Sequence, residues 1–195
     1  MLFLSASEAA TVIYDFSAPG FVAGEVTPRL AKPPASGSST FRTDFTTSPS
    51  AGGFGLQNFE PNNLFLGQAL LDIQDPPDVL RMTFNELVDR VQLDFAVVQS
   101  GRLQIITPVG NLEQESAPQG GQFEGGTLIF TSPTPFTDIQ LLAFNDANAR
   151  ILFAIDDLRL NVVPEPNVCL LVLLAACQWL SDRRRTQQRQ VCRAK

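Results

Sequence analysis

Histidine is absent from all 195 residues, and cysteine occurs only at Cys169, Cys177 and Cys192. Everything before Cys169 therefore has neither thiol nor imidazole. This excludes Cys or His nucleophiles, Ser-His-Asp triads, His-bearing zinc sites and disulfides from the main part of the chain. Carboxylates, hydroxyls, Lys and Arg remain, a poor kit for an enzyme. Nineteen acids make some carboxylate pair inevitable there, yet no spacing singles out a glycosidase pair. Tyr14 is the single tyrosine and Trp179 the single tryptophan, so aromatic platforms for stacking a sugar are also scarce. Phenylalanine is plentiful instead, fifteen residues all before Leu160, as suits a core.

Basic residues are few and unevenly placed. From Asp182 onward there are six basic residues and one acid, which leaves eight basic and 19 acidic residues before it, a net of −11. An acidic body repels nucleic acid, so nucleic acid is not an expected partner. Long apolar runs are lacking too, except one: residues 168–180 contain a single polar side chain, Gln178.

Between about residues 11 and 163 the chain reads as short strands separated by Gly, Pro, Ser and Asn clusters. "TVIYDF" (11–16) is β-branched and aromatic, while "AKPPASGSST" (31–40) and "TTSPSAGGFG" (46–55) read as loops. "VLRMTF" (79–84) sets Leu80, Met82 and Phe84 on one side. "VQLDFAV" (91–97) alternates, with Val91, Leu93, Phe95 and Val97 inward and Gln92 and Asp94 outward. "GRLQII" (101–106), "GGTLIF" (125–130), "FTDIQLLAF" (136–144) and "RILFAIDDLRL" (150–160) continue the pattern, and "QSGR" (99–102) reads as a hairpin turn. "NNLFLGQALLDI" is ambiguous between helix and strand and is assigned a strand. Roughly eight strands with no clear amphipathic helix predict an all-β antiparallel β-sandwich, jelly-roll-like.

The final strand changes phase. Phe153 and Ile155 share one face, Leu158 and Leu160 have the opposite parity, and Asp156 and Asp157 lie at the slip. A β-bulge produces such a slip. It is either a solvated irregularity or a calcium site, since hard cations take carboxylate and carbonyl oxygens from irregular backbone. "YDF" and "FAIDDLRL" resemble the bracketing strands of jelly-roll adhesion domains such as the MAM family. In that family an early Asp and the late "IDD" lie close together, often around a structural cation. The resemblance implies Asp15, Asp156 and Asp157 as calcium ligands, although the family's cysteines are missing.

After the last strand comes "VVPEPNVCLLVLLAACQWLSDRRR". Pro164 and Pro166 cannot donate to a ladder and hold Glu165 extended, and Asn167 suits a helix N-cap. Thirteen helical residues rise only about 20 Å against a hydrocarbon core of about 30 Å. Trp179 at the interface and Arg183, Arg184 and Arg185 beyond it favour a short membrane span whose mismatch local thinning absorbs.

This ordered set resembles the PEP-CTERM sorting segment. Val163, Pro164, Glu165 and Pro166 match the motif, residues 168–180 the anchor, and Arg183–Arg185 the stop. The resemblance implies export, recognition by an exosortase in the inner membrane, removal of the tail, and delivery to the cell surface or an exopolysaccharide-rich matrix. Residues 1–10 carry an apolar start and a Ser7-x-Ala9 pattern, and read either as the approach to the first strand or as the remnant of a signal peptide, the second being preferred because the tail implies export.

The expected organisation is a sandwich over residues 11–163, the motif at 164–166, a transmembrane helix at 167–181 and a basic cytoplasmic tail at 182–195. The expected function is non-enzymatic. The alternatives are a calcium-dependent carbohydrate-binding or adhesion module and a permanently anchored surface protein.

Overall fold

The computed structural model describes residues 10–18, 21–26, 40–48, 53–59, 65, 67–73, 76–98, 100–118 and 122–163. Nine strands occur among them: β1 (Ala10–Tyr14), β2 (Thr43–Ser48), β3 (Phe54–Asn58), β4 (Gln68–Asp72), β5 (Val79–Val98), β6 (Gly101–Thr107), β7 (Gly110–Glu115), β8 (Phe123–Asn145) and β9 (Phe153–Val162). All pairings between them are antiparallel, and the described residues contain no helix. The ambiguous segment around Leu70 is a strand, β4. The proposed transmembrane helix, Pro164 to Pro166 and Arg183 to Arg185 lie outside the described residues.

Two long strands build both layers. The first half of β5 pairs with β2 and with the second half of β8, and β8 continues to β6 and β7. The second half of β5 pairs with the first half of β8 and with β9. The far edge of β9 takes β1 along residues 158–162 and β4 at 154–155, with β3 outside β4. The sheet therefore folds over at a corner in β5 and β8 into a sandwich.

The corner is written in the pairing. Between Thr83 and Val88 the ladder skips four residues of β5 against one of β8. Between Val88 and Arg90 it skips four of β8 against one of β5. Pro133 and Pro135 fall among those skipped residues of β8, where no ladder donor is required. Strands that read as separate in sequence, 79–84 with 91–97 and 125–130 with 136–144, are thus halves of single bent strands.

The core is phenylalanine-rich: eleven of the fifteen phenylalanines are buried. Tyr14 of β1 meets Phe45 of β2 edge-on at 5.8 Å, joining the two layers, and Phe54 meets Phe153 at 4.9 Å. Burial pushes the Tyr14 phenol up to about 12, beside Thr43. The only tyrosine is thus core, not a sugar platform.

Two local expectations need correction. "QSGR" does not close a hairpin, because β5 and β6 are not paired; the chain crosses there from one layer to the other. Gly101 is needed for close approach, since a Cβ would stand 2.6 Å from the Phe144 carbonyl oxygen. "TTSPSAGGFG" is not all loop: β2 runs to Ser48 and β3 begins at Phe54. The pattern Phe41, Thr43, Phe45, each buried and separated by exposed residues, was a readable strand signal. β7 was unreadable because it is an edge strand with almost no buried side chain.

Candidate functional site

The phase slip in β9 is a bulge. Gln92 faces Arg159 and Asp94 faces Asp156, so β9 places two residues opposite one of β5, and Asp157 takes a left-handed φ of 47°. Upstream of it Phe153 and Ile155 enter the core; downstream Leu158 and Leu160 do so. The extra residue keeps both pairs inward although their parity differs.

The structure brings the expected acids into electrostatic range of one another and adds Asp94, which faces Asp156 across the ladder. Asp156 is only 8% exposed. Burial, then repulsion from Asp157, Asp15 and Asp94, pushes its carboxyl up to about 7, against the bond from the Asp157 backbone N–H, which pulls it down.

Each acid already has a partner. The Asp157 N–H donates to Asp156 Oδ1 at 2.8 Å, and the Ser17 N–H to Asp15 Oδ1 at 2.8 Å. The Thr127 hydroxyl donates to Asp94 Oδ1 at 2.6 Å, and Asp157 pairs with Arg159 at 3.6 Å. Among the described residues no three or more acidic side chains are disposed to hold a metal ion. The geometry lends the calcium expectation for Asp15, Asp156 and Asp157 no support: what it shows is mutual repulsion, centred on Asp156.

One register step along the same strands, the outer face changes character. Thr11, Asn161, Arg90 and Thr131 form one row across β1, β9, β5 and β8. Ile13, Arg159, Gln92 and Ile129 form the next. Their strand neighbours Val12, Leu160, Val91 and Phe130 point into the core, so both rows face out. Thr11, Arg90, Gln92, Arg159 and Asn161 line an open groove of about 360 Å³ with Leu160 at its floor.

The polar groups in this groove are only loosely engaged. Arg90 donates to Gln92 Oε1 at 3.4 Å and forms no ion pair with a described residue. Asn161 donates to Asp89 Oδ1 at 2.7 Å. Arg159 holds Asp157 only through a long pair, both groups being about half exposed. Sequence reading missed this groove. Its arginines are 69 positions apart, and only the pairing of β5 with β9 makes them neighbours.

A smaller groove of about 200 Å³ lies on the other sheet, lined by Thr46, Thr47, Ser48, Val79, Arg81 and Gln140. Asp156 lines neither groove.

No protein-family model matches the chain, and no curated protein matches it. Several solved structures align with the chain at low similarity. A family 29 carbohydrate-binding module complexed with mannohexaose is 12% identical, with a TM-score of 0.39 over 79% of this chain and 92% of that one. The catalytic domain of a GH87 α-1,3-glucanase in complex with nigerose is 14% identical, with a TM-score of 0.38 over 80% of this chain and 29% of the other. A bacteriophage CBA120 tailspike protein 4 enzymatic domain is 12% identical, with a TM-score of 0.37 over 62% of this chain and 19% of that one. Likeness at this level assigns neither family nor ligand, so function rests on the chain's own residues.

Proposed function

We propose that the chain is an exported, non-enzymatic surface or matrix protein whose last 32 residues are a sorting tail. The observation that carries this is the order of properties after the final strand. β9 ends at Val162, and the Val163 N–H makes a last backbone bond to the Leu87 carbonyl at 2.8 Å. The compact unit that holds the sheets also ends at Val163. Pro164, Glu165 and Pro166 follow, then the apolar run, then Arg183 to Arg185. In sequence, two prolines directly after a tied-down strand favour an extended segment that a processing enzyme can bind, and an apolar run followed by arginines suits orientation in the inner membrane.

In this reading the exosortase recognises residues 163–166 and the tail is removed. The sandwich then works at the cell surface or in an exopolysaccharide matrix. Its lack of imidazole and thiol supports a binding role over a catalytic one.

Mass spectrometry of the surface-exposed protein tests the proposal. In an exosortase-bearing host the mature chain should lack residues 183–195; deleting the exosortase, or changing Glu165→Ala, should leave them in place. Recovery of the basic tail on surface protein despite an active exosortase would mean permanent anchoring instead. A second reading, carbohydrate binding by the sandwich, is favoured by the open groove of Arg, Gln, Asn and Thr side chains, which suit saccharide hydroxyls and acids.

A further inference from the structure

We infer that the groove of Arg90, Gln92, Arg159, Asn161 and Thr11 is a binding site for a carboxylated polysaccharide. The choice of a saccharide, rather than another polyanion, rests on the matrix reading above.

Charge placement is the first ground. Before Asp182 the chain has only eight basic residues against 19 acidic ones, yet two of the eight stand in one groove on neighbouring strands. Arg90 pairs in register with Asn161, so Arg159 occupies the diagonal position, with backbones about 7–8 Å apart. Two guanidinium forks at that spacing can grip one carboxylate together or two carboxylates along a chain. Acids beyond about 8 Å are largely screened at physiological salt. The charges that count are therefore Arg90 and Arg159 together with Asp157 and Asp89 beside them, and a ligand carboxylate must displace Asp157 from Arg159.

The second ground is availability. Arg90 has no acidic partner among the described residues, and the Arg159–Asp157 contact at 3.6 Å is long and exposed. An exposed pair of that kind contributes about 0–1 kcal/mol, so a ligand carboxylate can replace it. Asp89 is engaged by Asn161, and Asp94 by Thr127.

The third ground is shape. The row Ile13, Arg159, Gln92, Ile129 crosses four strands, about 14 Å, on a continuous open face. Ile129 is 46% exposed, and with Ile13 it flanks the polar centre with apolar surface suited to the C–H faces of sugar rings. Gln92, Asn161 and Thr11 supply amide and hydroxyl groups for sugar hydroxyls. Such a site needs no aromatic platform, which accords with the buried state of the only tyrosine.

Affinity electrophoresis of the full chain in mild non-ionic detergent tests this, with polygalacturonate as the probe in the gel. Polygalacturonate should retard the protein at 0.15 M salt, whereas the same polymer fully methyl-esterified should not. The Arg90→Gln, Arg159→Gln double variant should bind roughly tenfold more weakly, as expected for two lost charge-assisted contacts on an exposed face. Arg81→Gln, on the opposite sheet, should bind as the parent does. If the glutamine pair compromises folding, Arg90→Lys with Arg159→Lys keeps the charges and loses the planar forks, and should still weaken binding roughly threefold. Unchanged binding in a folded double variant would overturn the inference. So would equal retention by the esterified polymer, an equal loss of DNA binding in the double variant, an equal effect of Arg81→Gln, or no retardation at all. These outcomes concern the purified protein and leave export untouched, whereas retention of the basic tail would refute sorting without changing the gel.

Discussion

The outer face of the β5–β9 sheet holds two regions of opposite character built from the same two strands. At one end Asp94, Asp156, Asp157 and Asp15 crowd together, with Asp156 almost buried. Beyond them Phe65, Ala69, Ala96 and Ala154 form a small second cluster that covers that end of the face. At the other end Arg90 and Arg159 lie open with only weak partners. A single inserted residue, Asp157, divides them. The comparison teaches that charge on a sheet face is organised by register as much as by composition: one bulge decides which acids are hemmed in and which bases stay free.

Removing the divider should have the largest effect. Deleting Asp157 restores strict alternation through β9, so either Phe153 and Ile155 or Leu158 and Leu160 must turn outward. All four are at most 1% exposed, and exposing any pair costs about 3–6 kcal/mol at 1.5–3 per side chain. A loss of that size approaches the whole stability of a domain. The thermal transition should therefore collapse or vanish; a cooperative melt within a few degrees of the parent would show that the bulge divides nothing.

The next largest effect belongs to the acidic end. Asp156 has a folded value of about 7 against 3.8 ordinarily, so the native state holds the proton more tightly than the unfolded one. Its stabilising contribution is complete below about pH 4 and is lost as pH climbs through 7. The groups that face it are Asp157, Asp15 and Asp94, with Arg159 reaching Asp157. Asp156→Asn should therefore raise the melting temperature at pH 8 and flatten its fall between pH 5 and 8. The difference should be on the order of 2–4 kcal/mol. Parallel pH profiles of parent and variant would remove the idea that burial and repulsion act on this carboxylate.

The smallest effect tests the bulge itself. Asp157 sits at φ 47°, where a β-branched side chain is strained. Asp157→Val should lower stability by about 1–3 kcal/mol, while Asp157→Gly should be close to neutral. Equal melting temperatures for the two variants would mean that the left-handed conformation is not what the site requires.

Some of this was legible in the chain before folding. Val91, Leu93, Phe95 and Val97 announce a half-buried strand, and the parity change from Ile155 to Leu158 announces the bulge, because both are short-range patterns along one strand. Other features were hidden. The corner at Pro133 and Pro135 looks like a break between strands, since only the skipped pairing shows that β8 continues through it. Asp15, Asp156 and Asp157 are legible as acids near the first and last strands, but the convergence of oxygens that a cation requires is not written in spacing along the sequence.

The sequence by itself determined the all-β character, the absence of imidazole and thiol chemistry before Cys169, the phenylalanine core and the order of properties from Val163 to Arg185. Each of these is carried by composition or by periodicity within a few residues. Tertiary structure alone decided that Arg90 and Arg159 share a groove, that Asp94 faces Asp156, and that Tyr14 is sealed between the sheets. These relations depend on ladders joining β1, β5 and β9 across tens of residues. Which strands pair is settled by the packing of the whole core, not by any local preference.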